Sequence, residues 1–271
     1  MTQKIALGFH ALAHALPVAI VVLVGVWMGS ALTQYIKVGD LVTEKSLAGF
    51  SWAYADGRVF NWHPLLMTFG FVFCSTQAAL AYISLPFSHD TNKRIHLSLH
   101  ALGFLSAVVG AIAVFRFHNE HSIKNLYSLH SWLGLLTLIL FAGHYLGSFI
   151  VFFYPGASRP VRAQVSPFHI GLGIGILGLV YLTVATGILE KLSFNASCNV
   201  AGILNGKQVV GYMALDCVLG NSIGLLAALT FVALVVTIYH ANHAPKSITH
   251  GEESEPLIRG GPYQDARAAH V

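Results

Sequence analysis

Six stretches of this 271-residue chain each run about twenty residues or more without a single Asp, Glu, Lys or Arg. A hydrocarbon core of about 30 Å takes about 20 apolar residues of helix to cross. Inside it every backbone N–H and C=O must be paired within the spanning structure, which leaves helices as the solution for isolated apolar runs. The runs lie at about 14–36, 62–85, 95–115, 128–153, 167–189 and 218–240. The expected fold is therefore an all-α membrane protein with six transmembrane helices, spans two to five forming a central four-helix bundle in the lipid bilayer. Pro167 would open the fifth span, where proline suits a first helical turn. The first run is too long for a signal-peptide core and no small-residue cleavage site follows it, so it reads as a retained span. Residues 1–240 form one six-span domain. The tail, 241–271, carries Pro245, Pro256 and Pro262 and reads as disordered.

Composition narrows the function classes. Charged residues make up 10% of the chain and apolar ones 55%, against about 25% charged in soluble domains. Disordered chains, disulfide-built secreted scaffolds and ordinary cytosolic enzymes are excluded. A net charge of +4 provides no dense basic stripe, so nucleic acid is not an expected partner. Against this apolar background stand 15 His, as many as Lys and Arg together.

Ionisable groups inside a span are costly and point to function. His63 opens the second span, His96 the third, His130 the fourth and His169 the fifth. Because successive spans run in opposite directions, His63 and His130 share one depth and His96 and His169 share another. Two imidazole pairs at two depths on four neighbouring helices make two sites. Zinc favours four ligands, often thiolates; only Cys74 lies among these helices, and no Asp or Glu lies inside spans two to five. Two neutral imidazoles can instead supply both axial positions of a haem iron. Iron so held has no open position, and its natural work is one-electron transfer. Glycines at 103, 110, 134, 143, 147, 171, 173, 175 and 178 could admit a porphyrin edge or close helix contacts.

Phe60-Asn61-Trp62-His63-Pro64, Lys93-Arg94-Ile95-His96, Tyr127-Ser128-Leu129-His130-Ser131-Trp132-Leu133-Gly134, and Phe153-Tyr154-Pro155-Gly156-Ala157 followed by Pro167-Phe168-His169 resemble the cytochrome b561 family over about residues 60–190, the haem core. The resemblance implies two haem b groups per chain, one held by His63 and His130 on the non-cytosolic side, the other by His96 and His169 on the cytosolic side. It implies electron transfer from cytosolic ascorbate to ferric iron, as a chelate, or to monodehydroascorbate, and a homodimer.

Ascorbate is an anion, so its site wants cations at the inner face. Lys93, Arg94, Arg159 and Arg162 flank the inner histidines, and Lys93 and Arg162 fall where the family places ascorbate-binding cations. The Arg that the family often carries near the end of the second span is replaced by Ile83-Ser84-Leu85. On the outer face His118 occupies a family acceptor-site position, where an imidazole can exchange the proton that accompanies the electron. Phe117, Asn119, Arg116, Lys124 and Tyr127 lie beside it. His100, one turn from His96, and His144, about 21 Å along its helix from His130, read as supports of the inner pair. His10, His14, His89, His240, His243, His250 and His270 read as interfacial or tail residues.

Orientation rests on three signals. Asn195-Ala196-Ser197 is a glycosylation sequon, Cys198 and Cys217 are expected to form a lumenal disulfide, and Glu253–Ile258 resembles an acidic dileucine sorting signal. All three place both termini in the cytosol, in an endosomal, lysosomal or vacuolar membrane or the plasma membrane. The Lys/Arg count, eight inside against seven outside, is nearly neutral. Two other function classes compete: a histidine-lined proton or metal-ion transporter without haem, and a non-catalytic haem subunit of a larger complex.

Overall fold

The computed structural model describes residues 3–243. The described chain contains six helices long and apolar enough to cross a membrane. Helix α1 (Gln3–Val26) continues through a π turn, Trp27–Ala31. The second span is composite: a 3₁₀ turn (Gly57–Asn61), α2 (Trp62–Met67), a π segment (Thr68–Cys74) and α3 (Ser75–Ser84). Then come α4 (His89–Glu120), α5 (Leu129–Phe152), α6 (Arg159–Asn195) and α7 (Leu215–His243). With six antiparallel spans, Gln3 and His243 lie at one face, the terminal face.

Helix starts follow local chemistry. Ser88 caps α4 by accepting from the Thr91 amide. Ser128 and Ser131 form a capping box at the start of α5, which fixes His130 in its first turn. Pro160 sits in the first turn of α6, where its missing N–H is no loss.

Several boundaries differ from the sequence reading. The first span ends at Ala31 rather than 36, because Thr33–Val38 leaves the helix as strand β1; apolarity alone does not separate a helix end from a β-branched strand. Pro167 lies inside α6, seven residues after Pro160, and its ring removes only one backbone bond there. Helix α4 extends to both sides of its apolar run through polar first and last turns.

The face opposite the termini carries a small sheet that the sequence reading did not anticipate. Strands β1 (Thr33–Val38), β2 (Leu41–Ser46), β3 (Val200–Leu204) and β4 (Lys207–Tyr212) lie in the order β1-β2-β3-β4. The outer pairs are antiparallel hairpins, and β2 runs parallel to β3. Asn205-Gly206 closes the second hairpin with both φ positive, the type I′ geometry that matches strand twist. The sheet thus ties the loop after α1 to the loop after α6.

Helix packing resolves the core into two pairs: the second span against α4, and α5 against α6. Helix α1 packs on α7 beside them, and contact between the two core pairs is sparse. Gly70 and Gly103 let the second span and α4 close: a Cβ on Gly103 would stand 2.6 Å from the Gly70 carbonyl oxygen. Phe71, Phe141, Ile176, Val180 and Tyr181 form the buried centre. The Tyr181 hydroxyl bonds Thr76 at 2.9 Å, joining α6 to α3. At the sheet-bearing face Asp216 accepts from Trp27 Nε1 and, at 3.0 Å, from Asn195 Nδ2, locking α1, α6 and α7 together.

Candidate functional site

The four span histidines meet pairwise across the seam between the helix pairs. His63 of α2 faces His130 of α5 with ring centroids 6.1 Å apart, and His96 of α4 faces His169 of α6 at the same 6.1 Å. Each ring is tied back within its own helix pair through Nδ1. His63 donates to the Gly110 carbonyl (3.1 Å), His130 to the Thr183 carbonyl (2.9 Å) and His96 to the Ala78 carbonyl (2.8 Å). His169 Nδ1 bonds the Ser148 hydroxyl at 2.8 Å. A carbonyl accepts only, so in three rings the proton is on Nδ1 and Nε2 keeps its lone pair. Among the described residues no protein group bonds any of the four Nε2 atoms. This is the outer-sphere pattern of metal-binding imidazoles, in which one nitrogen is oriented so that the other can ligate.

The spacing fits one ion per pair. A metal–imidazole bond is about 2.0–2.1 Å (the zinc value), and a five-membered ring with bonds near 1.33 Å has a radius of about 1.1 Å. Two bonds and two radii sum to about 6.3 Å between centroids, close to the 6.1 Å found. Each pair offers two ligands only. Among the described residues no three His, Cys, Asp or Glu side chains converge on a metal position, so an ion there takes its remaining ligands from outside the protein.

Three helices give the depth between the pairs. His96 and Gly110 are 14 residues apart on α4, His169 and Thr183 are 14 apart on α6, and His63 and Ala78 are 15 apart along the second span. At 1.5 Å per residue these are about 21–23 Å. Between the layers lie aromatic rings: Phe141 stands 4.8 Å from Phe71, 5.8 Å from Phe104 and 5.5 Å from His100, centroid to centroid.

Each pair has its own surroundings. His100 is 4.6 Å from His96 at a steep angle, and its buried Nδ1 has no partner. His144 stacks on His169 at 4.6 Å. At the other level Gly187 makes room for His130: a Cβ there would lie 2.7 Å from the ring. Of the glycines noted in the sequence, Gly103 and Gly110 serve helix contact, whereas a Cβ at 143, 147, 171 or 175 would meet nothing within 4 Å.

A cavity of about 1050 Å³ opens from His63 and His130 to the sheet-bearing face. Phe117, His118, Lys124 and Tyr127 line it. His118 Nδ1 lies 3.1 Å from Asn125 Oδ1, and Asn125 Nδ2 donates to Asn119 Oδ1 at 2.8 Å. Tyr127 donates to Glu190 at 2.6 Å; its burial, then this bond, push the phenol well above its ordinary range. Arg116 is not a cavity cation. It pairs with Glu120 at 2.7 Å and lies over the Trp52 ring. Sequence reasoning missed Lys191 and Arg58. Lys191 reaches into the cavity with Nζ 4.3 Å from the centre of the Phe60 ring. Arg58 lines the same cavity and clasps Asp56, holding that carboxyl well below its usual range. The charged Glu190-Lys191 pair, which closes the fifth apolar run, was the available signal.

At the terminal face Lys93 and Arg94 stand in the first turns of α4, and Arg159 and Arg162 in the first turn of α6. Lys93 lies 3.8 Å from the exposed Asp90 carboxylate. Arg94 and Arg159 are exposed, while Arg162 is half-buried with its Nε unpartnered.

Cys198 and Cys217 are joined as a disulfide beside the sheet, and Cys74 is free and buried. Asn195 corrects the sequence reading. It is 1% exposed and its Nδ2 donates to Asp216, so the nitrogen a glycan would need is buried and committed. The sequon therefore carries no weight for orientation. The dileucine-like motif and the tail beyond 243 lie outside the described residues.

Comparison with known proteins accords with this geometry. The sequence profile of eukaryotic cytochrome b561 matches residues 62–195, which span all four paired histidines. The probable ascorbate-specific transmembrane electron transporter 2 of Oryza sativa subsp. japonica is 38% identical over 252 residues, 92% of this chain and 94% of that protein. The lysosomal membrane ascorbate-dependent ferrireductase of Mus musculus is 42% identical over 200 residues, 72% of this chain and 78% of its own. Transmembrane ascorbate ferrireductase 2 of Arabidopsis thaliana is 39% identical over 169 residues, 62% of this chain and 70% of its own. With paired histidines inside the matched segment and a 38% identical relative aligned over 94% of its length, the chain belongs to the cytochrome b561 family.

Proposed function

We propose that this protein is a transmembrane oxidoreductase that takes electrons singly from cytosolic ascorbate and delivers them through two haem b groups to an acceptor at the sheet-bearing face. The acceptor is a ferric chelate or monodehydroascorbate. Membership of the family implies haem b; two per chain, one for each histidine pair, is our reading. The residues fit the group: the rings of each pair stand at a spacing that admits one ion, and in three of the four the Nδ1 bond to a carbonyl leaves the Nε2 lone pair free. His63 with His130, and His96 with His169, would hold the two haem groups. When bound, haem b would supply a one-electron Fe(III)/Fe(II) couple.

The chain's own residues supply the rest. The Nδ1 bonds fix ring orientation and increase ligand basicity. Phe71, Phe104 and Phe141 keep water out of the space between the two levels. Lys93 and Arg162 give the ascorbate anion its counter-charges at the terminal face, and the unpartnered Arg162 Nε is a donor in need of an acceptor. Arg94 and Arg159, exposed beside them, raise the local positive potential. At the opposite face Asn125 holds His118 by Nδ1, leaving Nε2 to give or take a proton. Lys124 and Lys191 offer positive charge to an anionic acceptor in the same cavity. On this reading the sheet-bearing face, with its disulfide, is non-cytosolic, and the terminal face is cytosolic.

The convergence of four oriented imidazoles into two pairs carries the proposal. A haem-free transporter is disfavoured, because among the described residues no three His, Cys, Asp or Glu side chains converge on a position where either pair would hold a free ion. The test is the visible spectrum of purified, oxidised protein on addition of ascorbate. A b-type reduced α band is expected; a colourless protein that moves protons or metal ions overturns the reading.

A further inference from the structure

Outside the paired histidines, a second imidazole cluster sits near the terminal face where α1 meets α3. His10 and His14 are four residues apart on α1 and so share one face of that helix. Their Nε2 atoms are 3.1 Å apart, and the hydroxyl of Ser84, the last residue of α3, lies 2.8 Å from each. His14 Nδ1 meets Gln77 Oε1 of α3 at 2.6 Å. The Gln77 carbonyl accepts, so His14 carries its proton on Nδ1 and turns a bare lone pair on Nε2 toward the other two atoms. Neither haem-facing pair includes any of these residues.

We propose that His10, His14 and Ser84 form a binding site for a divalent first-row transition-metal ion with a preference for imidazole, zinc being the type case. Three observations carry this. The donor atoms make a triangle with edges of 2.8, 2.8 and 3.1 Å. Metal–nitrogen bonds of about 2.0–2.1 Å in a tetrahedral site place ligand atoms about 3.3 Å apart, so the triangle needs to open by only a few tenths of an ångström to become one face of that tetrahedron. The triangle is also short of hydrogens. His14 Nε2 has none, so His10 and Ser84 bring at most one each to three close contacts, and at least one contact lacks a proton of its own. A cation accepted by all three lone pairs removes that deficit. Finally, Gln77 stands in the outer-sphere position that orients a metal-binding imidazole.

The His-x-x-x-His spacing on one helix is the two-ligand element of many zinc sites. The third donor is a hydroxyl, a weaker ligand than His, Cys or carboxylate, and the fourth corner falls to water because His10 is only half-buried. The site would therefore be exchangeable. Its structural effect is to clip α1, which packs mainly on α7, to the second span. Occupancy stabilises the folded state by mass action.

The experiment uses the full-length, haem-loaded protein in detergent, without an affinity tag and stripped with chelator, titrated calorimetrically with Zn²⁺. One equivalent is expected to bind per chain and to raise the thermal midpoint. In His14→Ala and in His10→Ala affinity should fall at least tenfold and the thermal shift should vanish, with the haem spectrum unchanged. His10→Cys, which restores a ligand, should restore binding. His10 touches neither Gln77 nor the haem-facing pairs, so His10→Ala carries the test if His14→Ala does not fold. Equal Zn²⁺ uptake by wild type and His10→Ala, or none by wild type, overturns the proposal.

Discussion

Ser148→Ala removes the one orienting bond among the four that mutation can reach. Three of the imidazoles are tied to backbone carbonyls, whereas His169 uses the Ser148 hydroxyl at 2.8 Å. A neutral hydrogen bond contributes about 0.5–1.5 kcal/mol net, and loss of an outer-sphere partner typically costs about 10–100-fold in metal affinity. Tenfold corresponds to about 1.4 kcal/mol, so the two ranges meet at the lower end, and about tenfold weaker cofactor retention at the His96–His169 pair is expected. The substitution leaves a void of a single oxygen, too small to unsettle the bundle. Without an acceptor for its Nδ1 proton, His169 becomes a poorer electron donor, which disfavours the ferric state and raises that centre's reduction potential. A spectroelectrochemical titration of Ser148→Ala beside Ser148→Thr reads both effects, with the His63–His130 centre as an internal control. Unchanged potential and occupancy, or equal loss at both centres, would refute the reasoning.

Other expected outcomes follow the same geometry. His63→Ala should abolish the centre nearest the sheet and spare the other, as judged by haem content and low-temperature spectra. Lys93→Ala should slow reduction by ascorbate by about two- to fivefold, the scale of a partly exposed ion pair, with haem content intact in stopped-flow assays. His118→Ala should slow re-oxidation by the acceptor by about a hundredfold if it moves the proton, while ascorbate still reduces the protein at the wild-type rate.

The spans were legible because lipid leaves the chain so few choices: charge-free length alone located all six helices. The pairing was legible too, because the alternating direction of spans turns four sequence positions into two depths. What escaped has physical causes. Strand β1 hides inside an apolar run, since Tyr35 and Ile36 suit a helix end and a strand equally. The Asn205-Gly206 turn between Leu204 and Lys207 is a hairpin signal that was there to be read. Asn195 fits a sequon by its neighbours, yet its burial depends on Asp216, twenty-one residues on. Arg116 is spent on Glu120, one helical turn away, a pairing that the i,i+4 spacing permits but that only the packed helix fixes. His10 and His14 looked interfacial because Ser84 and Gln77 join them only through packing of α1 on α3. Short-range chemistry was visible in the sequence; partners from distant elements were not.

The haem-to-polypeptide ratio of the fully loaded protein, by pyridine haemochrome against amino-acid analysis, tests the central claim most directly. Two irons held by four imidazoles predict a ratio of two in wild type and one in His63→Ala. A wild-type ratio of one, or a wild-type protein with no haem, would contradict the account.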